Sequence, residues 1–397
     1  MKEPIAAVRP GLPEPLAWLA DLALADLRPE RPAAGREPRG AVETARLHRL
    51  LPLYAWWRAR RGDDPEAAAL HAQFRARDAA QLLLAGEVLD LLAQRGVRAM
   101  PLKGVALAES LYADPSLREC EDIDILVDRE GLETARTAMA GLGYTRRASV
   151  YPEIERYHET WSRGPGKPAA VVELHWDLSP RTDPVSFDMG AWWNEARPAG
   201  GRLGSILRPD PAHELAYLSW HALASGTVTL RDLGDVARLA RRVADDGTLE
   251  RAAEFAEASG AGRHFHLALC YARELWPWIA PACPGTGAPV RARPARLARR
   301  LTCLRSALGR VERPFWAESC LARALLWPGP FRWRGVLHEA LLSLRYARLK
   351  AGAPASRWLA PKATAVLLLT RLLLLLPRRS REKALTLLAR HSLRSPA

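Results

Sequence analysis

The apolar positions fall into three stretches of different rhythm. Over residues 1–95 they recur at three- and four-residue spacing. That spacing predicts helices over Ala41–Tyr54 and Pro65–Gln94, the second with Phe74, Leu82, Leu83, Leu84, Val88, Leu91 and Leu92 along it. Gly96 stands where a helix would stop on a left-handed residue. From about residue 96 to 180 the rhythm shortens. Val97–Leu102, Ile123–Val127, Tyr144–Arg147, Tyr157–Ser162 and Ala170–Trp176 read as strands. Val105–Tyr112 and Arg129–Leu142 read as helices between them. Asp128 is placed to cap the second helix and Gly143 to stop it, and Gly164-Pro165-Gly166 is a turn. Beyond residue 181 the helical rhythm returns, with amphipathic runs at His213–Ala224 and Leu230–Val243.

Strand, helix, strand, helix, then a strand pair predicts a small α/β sheet set between helical regions, an α+β chain. The expected division is a helical region over 1–95, an α/β core over 96–180, a helical region packing on that core over 181–280, and a C-terminal helical region over 281–397. The last opens on a Pro-, Gly- and Arg-rich loop or linker at 281–297.

Composition changes this picture little. At 48% hydrophobic residues, the 397-residue chain has ample material for packed cores. The net charge of +14 comes mostly from arginines scattered along helices, and Ala, Leu, Pro and Gly are abundant too, so coding bias explains it as well as selection does. Nucleic acid is not an expected partner. Cysteines at 120, 270, 283, 303 and 320 lack C-x-x-C spacing, which predicts free thiols in a reducing cytoplasm. Met1–Pro15 is broken by prolines and has no apolar core of a secretory signal. Ala363–Leu376 is apolar but interrupted by Arg371 and followed by Arg378, Arg379, Arg381 and Lys383. It is too short to span a bilayer, for which about 20 apolar residues are needed. Two readings stay open, a buried helix or a peripheral contact of residues 363–383 with the inner membrane face.

The chemistry centres on Asp122-Ile123-Asp124. On a strand, residues i and i+2 share a face, so two carboxylates project together, about 7 Å apart at the backbone. A divalent cation is the natural candidate to offset their repulsion, since Mg²⁺ takes hard oxygen donors of this kind, unless the pair is simply solvated at a strand edge. Ile125, Leu126 and Val127 anchor the strand, which puts the acidic pair at its exposed beginning. Upstream, Leu102-Lys103-Gly104 ends one strand and opens a helix. Gly104 permits close backbone approach, the helix start offers N–H groups to a phosphate, and Lys103 adds positive charge. Downstream, Glu173 sits between Val172 and Leu174 on a strand, where a carboxylate is costly unless paired or metal-bound. His175 shares its face and is placed to orient it or to touch substrate, unless it is a structural histidine. Arg118 either neutralises phosphate or pairs with Glu119 or Glu121. His221 either lines a cleft or is a satisfied core histidine. His264 and His266 point to different helix faces and share no metal site.

In this order, Leu102-Lys103-Gly104, Tyr112, Arg118, Asp122 to Val127, Gly143-Tyr144 and Glu173-Leu174-His175-Trp176 resemble the uncharacterised bacterial nucleotidyltransferase family of the polymerase-β-like superfamily. The resemblance covers about residues 40–240. It implies an α+β fold with a small mixed sheet. It also implies Asp122, Asp124 and Glu173 as catalytic metal ligands for Mg²⁺ or Mn²⁺, and a nucleoside triphosphate as substrate, bound through Lys103, Gly104, Arg118 and His175. The expected reaction moves a nucleoside monophosphate to a hydroxyl-bearing small molecule, peptide or protein, in natural-product or polysaccharide biosynthesis. The sequence departs from the wider superfamily at Lys103-Gly104, where Gly-Gly or Gly-Ser is usual. Two other readings stand beside it: a non-catalytic nucleotide-binding scaffold, and a transferase acting on RNA ends.

Overall fold

The computed structural model describes residues 12–27, 36–62, 64–148, 157–164, 170–180, 183–203, 206–244, 247–278 and 303–312, with residues 322 and 326. The chain opens with α1 (Glu14–Leu22), α2 (Ala41–Leu47), α3 (Leu51–Ala59) and the long α4 (Pro65–Gln94). Helix α4 starts where local chemistry says it should. Asp64 accepts the Ala67 N–H, Pro65 occupies a position needing no N–H, and Gly96 turns the chain at φ 71° after the last turn.

The run expected as one helix over Ala41–Tyr54 is two. Arg49 adopts φ 57° and the Leu50 N–H reaches back to the Ala45 carbonyl at 2.8 Å, closing α2 in a Schellman-type turn. Pro52 then sits in the first turn of α3. Apolar spacing ran straight through this break because both helices bury the same kind of face.

The core follows as β1 (Ala99–Pro101), α5 (Lys103–Leu111), β2 (Ile123–Val127), α6 (Leu132–Gly141), β3 (Thr145–Arg146), β4 (His158–Arg163) and β5 (Ala170–His175). The sheet runs β1-β2-β5-β4-β3, with β2 and β5 parallel and the other pairs antiparallel. This is the expected α+β arrangement with a small mixed sheet. Helix α6 begins later than expected, because Asp128 caps the turn at Gly131. Alternation along the strands then divides the sheet. Ile123, Ile125 and Val127 of β2 and Val172 and Leu174 of β5 pack with Leu82, Val88, Leu89 and Leu92 of α4 and with Met139 of α6. The even positions, Asp124 on β2 and its neighbours, face the other way.

Beyond the sheet come α7 (Met189–Asn194), a ribbon of β6 (Arg197–Ala199) and β7 (Ile206–Arg208), then α8 (Pro211–Ala224), α9 (Leu230–Arg242), α10 (Thr248–Ala258) and α11 (Gly262–Leu275). The ribbon is a departure from the all-helical reading of this stretch; its short strands carry too little alternation to register. Leu215, Leu233, Phe265 and Trp276 join Leu19, Leu53, Met100 and Leu126 in one apolar core. A further helix covers Leu304–Glu312. Among the described residues no helix is long and apolar enough to cross a membrane, and the Leu-rich stretch 363–376 lies outside them. The loop 281–297 also lies outside them. Cys120 and Cys270 are free thiols.

Candidate functional site

Because β2 and β5 are parallel, their register sets Asp124 directly beside Glu173. Both carboxylates, and His175 two residues on, leave the sheet on the face away from α4. They open into a cavity of about 710 Å³ that lies between the sheet and helices α8 and α9. Lys103, Gly104, Arg118, Asp122, Asp124, Glu173 and His175 all line it. The residues picked out in the sequence are thus brought to one place.

Their individual settings differ. Asp124 is not at an exposed strand start but 4% exposed. Its Oδ1 lies 3.1 Å from Lys103 Nζ and 3.0 Å from His175 Nε2. Burial alone would raise its pKa. The charge of Lys103 and the hydrogen bond from His175 outweigh burial and hold the carboxyl well below the usual range. Lys103 mirrors it: burial disfavours the ammonium, yet Asp124, Tyr217 and Glu173 keep it protonated far above the ordinary lysine value. His175 Nε2 also lies 3.5 Å from Glu173 Oε2. Burial works against the imidazolium, but the hydrogen bonds to Asp124 and Glu173 raise its pKa.

Asp122 just precedes β2 and lacks such partners. Burial, Asp124 and Glu173 push its carboxyl up to about 6. Three carboxylates therefore crowd around one ammonium and one imidazole, and a divalent ion would offset their mutual repulsion. Ligand atoms of Asp124, Glu173 and His175 all lie within 4.8 Å of one another, close enough to hold one metal ion. Asp122 does not belong to that group of three, although it shares the cavity. The donor set, two carboxylates and an imidazole with a third carboxylate nearby, fits a divalent cation.

The Lys103-Gly104 turn is bent rather than helical. Lys103 has φ 38° and Gly104 φ 20°, ψ −115°. A Cβ on Gly104 would meet the Asp122 carbonyl at 3.4 Å and Asp124 Oδ2 at 3.9 Å, ordinary contact distances, so it is the positive φ and not the space that favours glycine beside the acidic strand. Arg118 pairs with neither Glu119 nor Glu121. Its guanidinium forks onto Asp235, 2.8 Å from Nη2 to Oδ2, and Nη1 donates to the Gly104 carbonyl at 3.3 Å. Tyr112 donates to the same Asp235 at 2.7 Å.

Other lining residues escaped the sequence reading. His158 sits opposite His175 in the β4–β5 register and stacks on it, ring centroids 5.0 Å apart. Burial and His175 push its pKa down to about 4. Tyr157, Tyr217 and Arg49 also reach the cavity. Pairing Tyr157–Ser162 with Ala170–Trp176 across the glycine turn would have found His158; nothing local marks the others. His221 lies on the wall with Nε2 at 3.4 Å from Lys103 Nζ, and burial and Lys103 push its pKa down to about 3.

An acidic pair at a central strand, one acid just before it and one on it, a third acid on the parallel neighbour and a glycine turn beside them are thus gathered in one cavity. The chain belongs to the family of uncharacterised nucleotidyltransferases, whose family model matches residues 35–277, more than half of its length. Among solved structures, an antigenic nucleotidyltransferase-like protein from Paracoccidioides brasiliensis is similar at 12% identity and a TM-score of 0.30, over 45% of this chain and 88% of that one. No curated relative matches the chain.

Proposed function

We propose that this protein is a divalent-metal-dependent nucleotidyltransferase that moves a nucleoside monophosphate from a nucleoside triphosphate to a hydroxyl-bearing acceptor. The supporting observation is the convergence of Asp124, Glu173 and His175 within 4.8 Å in a cavity that also holds Asp122 and the Lys103-Gly104 turn. In the reaction the acceptor oxygen bonds to the α-phosphorus, the bond from that phosphorus to the bridging oxygen breaks, and pyrophosphate departs. Asp124, Glu173 and His175 would hold the ion, with Asp122 as a further carboxylate ligand in the same cavity. Mg²⁺ or Mn²⁺ bound there supplies charge stabilisation for the attacking and leaving oxygens. Glu173, on the cavity wall, takes the acceptor's proton. Lys103 offsets phosphate charge, and Arg118 acts at one remove by bracing the Gly104 carbonyl.

Incubation with α-labelled nucleoside triphosphates, Mg²⁺ or Mn²⁺ and candidate acceptors tests this. Asp124→Asn should lower transfer at least about a hundredfold. Transfer undiminished in Asp124→Asn would overturn the site assignment.

A further inference from the structure

Arg49 occupies the one turn where the helical rhythm broke, in a left-handed conformation (φ 57°) that glycine adopts freely and arginine does not. Holding a non-glycine residue there weighs against folding by roughly five- to thirtyfold in equilibrium constant. What Arg49 gains in return is one ion pair, Nη1 to Glu121 Oε2 at 3.0 Å, with both side chains substantially exposed at 38% and 52%. An exposed pair of that kind returns less than about fivefold. Stability alone therefore does not explain an arginine at this position.

Its placement offers another account. The turn is pinned to the start of α9: the Leu230 N–H donates to His48 Nδ1 and the Arg231 N–H to the His48 carbonyl, both at 3.4 Å. The Arg49 side chain is thereby carried to the cavity wall, beside the Glu121-Asp122 approach to β2. The other cations on that wall are occupied. Lys103 is held by Asp124, Arg118 by Asp235, and Arg231 by Asp232 and the Glu119 carbonyl. The start of α9 cannot serve an anion either, since His48 and Thr229 already take its first N–H groups. Among the described lining residues, Arg49 is the cation most open to exchange its partner.

We propose that Arg49 binds the outer phosphates of the nucleoside triphosphate, exchanging Glu121 for a phosphate oxygen and steadying the pyrophosphate as it leaves. This rests on the nucleotidyltransferase reading above and adds to it a residue from outside the α/β core. A guanidinium suits the task because its fork meets two oxygens at once.

The test measures calorimetric affinities of the full-length protein in Mg²⁺ for each of the four nucleoside triphosphates, the matching monophosphates and pyrophosphate, alongside melting temperature. Arg49→Gly should weaken triphosphate and pyrophosphate binding about tenfold or more while leaving the monophosphate within about twofold. Its melting temperature should hold or rise, since glycine relieves the turn. Glu121→Gln should not weaken the triphosphate. Three results would overturn the proposal: unchanged triphosphate affinity in Arg49→Gly, a loss confined to the monophosphate, or equal losses in Arg49→Gly and Glu121→Gln, which would make the pair a structural brace. If Arg49→Gly binds as wild type while Asp124→Asn does not, this proposal fails and the nucleotidyltransferase reading survives. If no triphosphate binds wild-type protein, both fail.

Discussion

At Lys103 two demands meet. Its ammonium lies 3.1 Å from Asp124 Oδ1, the two side chains 13% and 5% exposed, so it neutralises a buried carboxylate that a metal ion would also claim. Removing one partner of a buried pair leaves the other uncompensated, at a cost of about 3–5 kcal/mol. Lys103→Met should therefore melt markedly lower than wild type in the presence of a chelator. Addition of Mn²⁺ should then raise its melting temperature more than it raises that of the wild type, because the ion now supplies the missing charge. Equal rises in the two proteins would show that the ion does not engage Asp124. The acids themselves were legible in the sequence, because strand alternation is a local property: Asp122, Asp124 and Glu173 follow from reading two short runs. The partners were not. His175 meets Asp124, 51 residues away, only through the parallel register, and Arg118 meets Asp235 across 117 residues.

Among the elements, α9 ties the site together. Its Asp235 receives Arg118 and Tyr112, and Arg238 pairs with Asp26 at 2.6 Å, so one helix fastens the segment after α1, the end of α5 and the approach to β2. Asp235→Asn should destabilise the fold by about 3–5 kcal/mol, since the Arg118 guanidinium is 5% exposed and would lose its charge partner. Nucleotide affinity should fall too, because Arg118 also holds the Gly104 carbonyl. Chemical denaturation and nucleotide titration check the two effects, and a variant as stable as wild type would contradict the role given to α9. The amphipathic rhythm located α9 well, at Leu230–Arg242 against an expected Leu230–Val243. The rhythm also concealed the break at Arg49, since apolar spacing reports which face is buried and says little about where the axis turns. Pro52 was the only local sign, and proline in a first turn is equally at home in a continuing chain of helices.

For the molecule as a whole, the sheet expected between two helical regions is present, and its mixed character comes from the single parallel pair β2–β5. That pairing has a kinetic meaning. The two strands are joined through α6, β3 and β4, so bringing Asp124 beside Glu173 means closing a long loop before any contact rewards it. The helices, by contrast, draw on neighbours in sequence. On dilution from denaturant, far-ultraviolet helical signal should therefore recover ahead of metal-dependent nucleotide affinity; simultaneous recovery of the two would refute that order. A shift of one residue in the pairing would also turn Glu173 and His175 to the apolar α4 side and Val172 and Leu174 into the polar cavity. Misregistered chains would be compact and helical yet unable to gather the ion's ligands, so the cation would capture the correctly zipped population and draw refolding toward it.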